Sequence, residues 1–471
     1  MNRVLAVALV VLLFLAMGLS TTAAQRQPAV APTGAPPNAA NGGGLRPTPT
    51  VIAAVVELIA PPTPKPDVFA RAQLFGGSTA LKPAKPVNTS DSTPSTRLVP
   101  DSELVNGPSA VDFDVRGFLA QRGGYINQYS ERTIQGEQLT GAQIVMRVAQ
   151  QFSVHPRLLI ALLEYEGGWI NSSAIGKSQV QYPYGNLDAL RAGRLHLQMT
   201  WAAARLNEGY YGWRLGTRTF VQLGDKDSYA NIPPSQNAGT AGVQNYLAAV
   251  TPRAKWEKVM GDGDGSFLQE YKRMFGDPAQ YDRGAPIPPA TRQPKLRLPF
   301  ADGERWHLTG GPHSAWGTGS IWAALDFAPQ NAGGCSPSVN WVVSMSDGAV
   351  ARSVIGEVAV SLDSSKDERI GWSILYMHMA PGGRVEKGAQ VRTGDHIGHP
   401  SCEGGQAMSA HLHTARKVNG EWVSASGDQP FVMDGWVAYE TPGGEFQGAL
   451  VKGDVVRQAD ESRNIDLNGV P

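Results

Sequence analysis

The chain has 471 residues, and its 41 Lys and Arg residues balance its 41 Asp and Glu residues. A net charge of zero gives no general attraction to nucleic acid or to an anionic membrane surface. The length predicts two domains with linkers, and the low charged fraction of 17% with 54 Gly and 34 Pro favours a loop-rich extracytoplasmic protein over a cytosolic enzyme.

Residues 1–24 have the pattern of a signal peptide. Arg3 gives a positive start, an uncharged apolar run follows over 4–19, and Thr22-Ala23-Ala24 offers small residues for cleavage. The run is shorter than the ~20 residues that cross a bilayer, so cleavage is favoured over a retained anchor. Contact with a membrane is expected only if this segment stays attached.

Residues 25–110 are predicted to form a disordered tether. Pro, Ala, Gly and Thr dominate its first part, as in Pro47-Thr48-Pro49-Thr50, and a polar stretch follows over 82–102. Such a composition buries too little apolar surface to offset the entropy lost on ordering.

Residues 111–280 are predicted to be mostly helical. Apolar residues recur with helical spacing between Gly141 and Phe152. Pro156 suits the first turn of a second helix, which runs to Glu166 and ends at Gly167. Further helices are expected around 187–207 and 240–250.

Glu166 stands at the end of an apolar helix, before small residues and Trp169. Burial there would raise its pKa, so it could donate a proton to a glycosidic oxygen. The segment Leu158–Trp169 resembles the catalytic-glutamate helix of goose-type lysozymes and lytic transglycosylases, which implies a lysozyme-like domain with Glu166 as the acid. That family's later Gly-Leu-Met-Gln turn is not recognisable here. Glu164 is an alternative acid, and a domain that binds glycan without cleaving it is a further alternative.

A Pro-rich linker is predicted over 281–297, where the chain has several prolines close together. From 298 to 440 the alternating pattern, punctuated by turn residues, indicates antiparallel β structure. Residues 441–471 read as a polar C-terminal tail.

Seven of the nine histidines lie between His307 and His413. His411 and His413 are two residues apart on a predicted strand, so both imidazoles point to one face. One of them can bind a metal while the other lies beside the metal without binding it.

A zinc site can be assembled from His313, Asp326 and His413. Catalytic zinc takes three protein ligands and leaves a fourth position for water or substrate. His378 and His411 then remain for proton transfer and for stabilising a developing oxyanion.

The region from Gly310 to Lys417 resembles the lysostaphin-type zinc endopeptidases of bacterial cell walls. The motifs that carry the resemblance are Gly310-Gly311-Pro312-His313, Leu325-Asp326-Phe327, Tyr376-Met377-His378-Met379, the Gly-punctuated run 385–398, and His411-Leu412-His413. The long spacing between the first histidine and the aspartate matches the beta-lytic branch and departs from the shorter spacing of the commoner branch.

This resemblance implies an antiparallel β-sandwich metallopeptidase domain with one Zn²⁺. It implies metal binding by His313, Asp326 and His413 and catalytic roles for His378 and His411. The expected reaction is hydrolysis of peptide bonds in peptidoglycan stems or cross-bridges, and the branch favours bonds next to glycine. The whole chain is then a multi-domain α and β cell-wall hydrolase, secreted or wall-associated in a bacterium, with peptidoglycan as its partner.

The two cysteines, Cys335 and Cys402, both lie in the predicted β domain. In an oxidising compartment they are expected to pair and to stabilise the fold by about 4 kcal/mol on the loop-entropy account. They could instead be additional metal ligands.

Three alternatives stay open. The β domain could be a degenerate copy that only binds or regulates at the wall, or a metallopeptidase of ordinary secreted proteins. The run 385–398 also resembles lipoyl and biotinyl carrier hairpins, but Lys387 beside Gly388 lacks the flanking residues of a carrier lysine.

Overall fold

The computed structural model describes residues 93–471 except 442, 443 and 463. The predicted signal peptide and most of the predicted tether therefore lie outside the described residues. Among the described helices, none combines the length and the apolar character needed to cross a membrane.

Helices occupy most of the first half of the described chain. They are α1 (Asp101–Leu104), α2 (Val115–Arg122), α3 (Gly141–Phe152), α4 (Pro156–Gly167), α5 (Lys177–Gln181), α6 (Leu195–Arg214), α7 (Ala238–Val250), α8 (Arg253–Met260), α9 (Phe267–Phe275) and, near the C-terminus, α10 (Ile465–Asn468). Two short antiparallel ribbons accompany them, β1 (Ser130–Arg132) with β2 (Gln138–Thr140) and β3 (Phe220–Gln222) with β4 (Tyr229–Asn231). We call residues 93–281 the α region.

The two central helices have the predicted limits because their ends are well capped. Thr140 and Gln143 form a reciprocal capping box at the start of α3. Pro156 occupies the first turn of α4, which ends at Gly168 in the left-handed conformation with φ of 65°. Residues 158–163 of α4 are completely buried, so this helix forms the centre of the α region.

The second half of the described chain is mainly β structure. Its strands are β5 (Trp306–Ser314), β6 (Trp322–Pro329), β7 (Val342–Val343), β8 (Gly348–Val354), β9 (Gly356–Ser361), β10 (Trp372–Met379), β11 (Gln390–Val391), β12 (His396–Gly398), β13 (Leu412–Val418), β14 (Glu421–Trp422), β15 (Val432–Met433), β16 (Trp436–Glu440), β17 (Gly448–Lys452), β18 (Val455–Gln458) and β19 (Gly469–Val470).

These strands form one large antiparallel sheet, one smaller antiparallel sheet, and a two-stranded antiparallel pair of β7 with β12. The large sheet has the order β11-β8-β9-β10-β13-β6-β5-β19, with β14 paired to β13, and the smaller sheet has the order β15-β16-β17-β18. Apolar residues of both sheets share one core. The protein is thus a mixed α and β protein whose sheets are antiparallel.

The two faces of the large sheet pack against different partners. Ile374 and Tyr376 of β10 point into the core shared with the smaller sheet. Leu375 and Met377 alternate with them and pack with the α region, as does Ala415 of β13. The α region therefore covers one face of the large sheet.

Both ends of the predicted domain plan need correction. The sequence predicts a tail over 441–471, but the structure has β17, β18 and β19 there, and β19 pairs with β5. The polar stretch after Lys452 is the tight turn of the β17–β18 hairpin, with Gly453 at φ of 58°, and not the end of the fold. The predicted tether also ends too late, because buried residues begin by Leu98.

Candidate metal centre

Strand pairing brings the proposed metal ligands together. Asp326 of β6 lies directly opposite His413 of β13 in the ladder. Asp326 also pairs with Gly310 of β5, and a shift in register after Gly310 places His313 on the same side. A Cβ atom on Gly310 would lie 2.7 Å from a carboxylate oxygen of Asp326, so glycine is needed there.

The candidate ligand atoms converge on one point. His313 Nε2 lies 2.9 Å from His413 Nδ1. Asp326 Oδ1 lies 3.3 Å from His313 Nε2 and 3.2 Å from His413 Nδ1. A tetrahedral ion with bonds of about 2.0–2.1 Å places its ligands about 3.3 Å apart, so the spacing suits zinc.

The outer nitrogens of both imidazoles are held by backbone carbonyls. His313 Nδ1 lies 2.8 Å from the carbonyl oxygen of Gly311, and His413 Nε2 lies 2.9 Å from that of Ala315. Each outer nitrogen donates its proton there, which leaves the inner nitrogens as acceptors. Asp326 Oδ1 is buried and makes no hydrogen bond of acceptable geometry within the described residues. Three acceptors that face one another need a positive charge between them.

The electrostatics of the three residues are consistent with a shared cation. Burial acts to raise the pKa of Asp326, but the imidazoles of His313 and His411 hold it well below its usual range. Burial lowers the pKa of His413, whereas the Asp326 carboxylate outweighs burial and raises the pKa of His313. The site therefore presents an ionised carboxylate and a neutral imidazole, the forms that bind metal.

His378 occupies a bulge beside this centre. The β9–β10 register shifts between Met377 and Met379, and His378 has φ of 65°, which is uncommon for a residue other than glycine. Its Nδ1 lies 2.9 Å from the carbonyl oxygen of Glu403, so its Nε2 is the free acceptor. Burial, with His411 and His413 nearby, lowers its pKa to about 3 and keeps it neutral.

His411 lies between His378 and the proposed ligands. Its ring centroid is 4.4 Å from that of His378, and its Nε2 is 3.8 Å from Asp326 Oδ1. Its Nδ1 lies 2.8 Å from the carbonyl oxygen of Ser409, which directs Nε2 towards the centre. All five residues predicted for the site thus lie together, three within ligand distance and two beside them.

Loops joined by a disulfide hold these two histidines. Cys335 and Cys402 are bonded, so they are not metal ligands. Next to Cys402, the backbone N–H of Ser401 donates to the carbonyl oxygen of His378 at 2.6 Å, and Ser401 also forms a bridge with His411. Ser401 and Glu403 were not predicted from the sequence, because backbone contacts of this kind have no sequence signature.

The α region reaches the centre through the loop between β5 and β6. Ala315, whose carbonyl orients His413, packs in the core of the α region. Farther along this loop, a Cβ atom on Gly319 would lie 2.4 Å from the carbonyl oxygen of Ala204 in α6. This close approach fixes the loop, and with it the carbonyl that orients His413.

The two candidate glycan acids of α4 have different environments. Glu164 is fully engaged, since its carboxylate accepts from the backbone N–H groups of Ile170 at 2.7 Å and Asn171 at 3.2 Å and pairs with Arg273. For Glu166, burial raises the pKa to about 7, with Lys255 acting in the opposite direction. Only Glu166 therefore has the environment of a proton donor.

We predict that Glu166→Gln changes the pH dependence of stability. A folded-state pKa of about 7, raised from 4.5, means that the carboxyl contributes stability below about pH 4.5 that is lost as the pH rises through 7. Relative to wild type, the free energy of unfolding of the variant should rise by about 2–3 kcal/mol from about pH 4 to about pH 8. Urea unfolding at the two pH values measures this, with exposed Glu257→Gln as control. A difference that does not change with pH contradicts the prediction.

One protein-family model matches part of the chain. Residues 97–289 match the family model described as LasA, N-terminal domain. No curated protein matches the chain.

Several solved structures are similar to part of the chain. The M23 metalloprotease pseudoalterin from the deep sea is 24% identical with a TM-score of 0.30, over 35% of this chain and 95% of that one. The catalytic domain of the prophage-encoded M23 protein EnpA from Enterococcus faecalis is 20% identical with a TM-score of 0.19, over 27% and 92%. The catalytic domain of lysostaphin from Staphylococcus simulans is 20% identical with a TM-score of 0.18, over 26% and 90%.

Proposed function

We propose that the protein is a secreted zinc-dependent endopeptidase that hydrolyses peptide bonds in the stems or cross-bridges of bacterial peptidoglycan. The observation that carries the proposal is the convergence of His313 Nε2, His413 Nδ1 and Asp326 Oδ1, with His378 and His411 beside them. The resemblance of these motifs to lysostaphin-type endopeptidases supplies the substrate class. Bonds next to glycine are the first substrates to test.

His313, Asp326 and His413 would hold one Zn²⁺. When bound, Zn²⁺ supplies a Lewis acid and makes a water molecule acidic enough to attack near neutral pH. Backbone carbonyls fix the outer nitrogens of both imidazoles, and their inner nitrogens face each other and Asp326 Oδ1.

His378 and His411 would take part in proton transfer and in hydrogen bonding to the reacting groups. Both donate from Nδ1 to backbone carbonyls, so both present Nε2 as an acceptor towards the centre. His411 would take a proton from the attacking water and deliver it to the leaving amine. His378, whose pKa is lowered to about 3, would stay neutral and accept a hydrogen bond from that water. Once protonated, the Nε2–H of His411 can also donate to the oxyanion that forms at the scissile carbonyl.

We do not extend the proposal to glycan cleavage. Glu166 has the raised pKa of a general acid. Glycan hydrolysis usually needs a second carboxylate across a sugar groove, and Glu164 is occupied by Ile170, Asn171 and Arg273. A lysozyme-like fold and a glycan role for the α region stay predictions.

The test is hydrolysis of purified bacterial cell walls by the full chain. We expect one zinc per chain and new amino termini, both lost on chelation and restored by zinc. Casein serves as the comparison substrate and should be cleaved much less than cell walls.

Each rival has its own outcome in this experiment. A chain that binds walls but contains no zinc and releases no amino groups is a wall-binding or regulatory protein. A chain that prefers casein is a general metallopeptidase. Release of reducing sugar instead of amino groups would show glycan cleavage, and the active site would then be sought in the α region.

A further inference from the structure

The ladder between β5 and β6 is interrupted just before His313 and resumes at that residue. The register shifts between Gly310 and His313, so Gly311 and Pro312 have no partner on β6. Both residues are buried. Buried backbone groups that leave a ladder need other partners, so another segment has to hold this part of the strand.

The loop between β16 and β17, residues 444–447, provides these partners. The N–H of Gly311 donates to the carbonyl oxygen of Phe446 at 2.8 Å, and the N–H of Phe446 donates to the carbonyl oxygen of Pro312 at 3.1 Å. The N–H of Ser314 donates to Glu445 Oε1 at 2.8 Å. A Cβ atom on Gly311 would lie 2.7 Å from backbone atoms of the loop, so the approach needs glycine.

The Phe446 side chain extends this contact to the imidazole. Its ring stacks on His313 with centroids 4.3 Å apart and planes 21° from parallel. The ring is 47% exposed, so its burial gives only part of the stabilisation of a core residue. Phe446 also has φ of 70°, a left-handed conformation that persists in residues other than glycine only where the surroundings impose it.

We propose that Phe446 is a positioning residue for the metal site, holding His313 in the orientation that binds zinc. The 444–447 loop fixes the backbone on both sides of His313, and the Phe446 ring restricts rotation of the imidazole. Gly311 links the two, because its carbonyl accepts from His313 Nδ1 while its N–H is held by Phe446. This inference rests on the proposed zinc function and adds to the site a residue from the loop between β16 and β17.

Phe446→Gly is the decisive variant. Glycine adopts a φ of 70° without strain, so the substitution removes the ring and leaves the backbone conformation unstrained. We expect the Kd of the variant for zinc to be about 10-fold higher than that of wild type. Competition with a chelator, carried out on the full chain, measures this Kd. The melting temperature in chelator should not fall, and saturating zinc should restore cell-wall hydrolysis.

Phe446→Tyr keeps the aromatic ring and should bind zinc as tightly as wild type. Val455→Ala, in the same sheet but away from His313, is the matched control for loss of a partly exposed apolar side chain. An unchanged zinc Kd in Phe446→Gly beside a wild type that binds zinc overturns the positioning role alone. A wild type that binds no zinc overturns the proposed function instead.

Discussion

His413→Ala should lose both zinc and activity, whereas His411→Ala should keep zinc and lose most of its activity. His413 Nδ1 lies 3.2 Å from Asp326 Oδ1 and 2.9 Å from His313 Nε2, within the ligand set. His411 Nε2 lies 3.8 Å from the same carboxylate oxygen and outside that set. Removing a general acid–base group lowers rates by about 10²- to 10⁴-fold, while loss of the metal should bring hydrolysis to the level of the chelated wild type.

The measurement is zinc content by mass together with release of amino groups from cell walls, on the full chain. His396→Ala is a control, since His396 is exposed and stacks on Trp341 away from the ligand set. Zinc retained by His413→Ala, or lost from His411→Ala, would show that the roles are assigned to the wrong histidines.

The residues of the candidate site could be named from the sequence because their spacing carries information. The two-residue spacing of His411 and His413 sets both on one face of a strand, and antiparallel pairing then places Asp326 opposite His413. The resemblance to a known family supplied His313 and His378, which lie on other strands. No local pattern would have connected those two residues to the pair.

The parts that hold the site could not be predicted in the same way. The carbonyls of Gly311, Ala315, Glu403 and Ser409 orient the four imidazoles, and any residue type has a carbonyl. Phe446 contacts His313 across more than a hundred residues of chain, from a segment whose polar, Gly-rich composition reads as a tail. Local pattern predicts elements, but these contacts depend on how distant elements pack.

The same distinction applies to the helices. The limits of α3 follow from Thr140, Gln143 and the apolar spacing between them and Phe152, all of which are local. That α3 would lie on the sheet face that bears the metal centre is a matter of packing between distant segments. A buried group of charges forms part of this contact.

Glu368→Gln should destabilise the protein by about 3–5 kcal/mol, because it leaves buried cations without a counter-charge. Glu368 binds Arg352 through both oxygens, at 2.6 and 3.1 Å, and lies 3.4 Å from Lys417 Nζ. Arg352 also pairs with Glu357, and all four residues are buried. The group is neutral as it stands. Without the Glu368 charge it either carries a net charge of +1 or forces a proton off Lys417, whose pKa burial already lowers to about 8, and both outcomes cost stability.

This charge group also connects the α region to the sheet. Gln151 of α3 donates to Glu357 at 2.7 Å, and Lys417 Nζ donates to the carbonyl oxygen of Gln150 at 3.2 Å. Loss of the Glu368 charge should therefore loosen α3 as well as lower overall stability. Protection of the α3 amides from hydrogen exchange measures the first effect, and urea unfolding measures the second.

The pH dependence separates the loss of charge from a packing defect. Burial acts to raise the pKa of Glu368, but Arg352 and Lys417 outweigh it and lower the pKa from 4.5 to about 2. A lowered pKa contributes stability above pH 4.5 that is lost as the pH falls towards 2, so wild type and variant should converge over that interval. Asp302→Asn, which removes the 95% exposed partner of Arg297, should cost less than about 1 kcal/mol at any pH. A Glu368→Gln deficit that persists at low pH would instead indicate a packing defect.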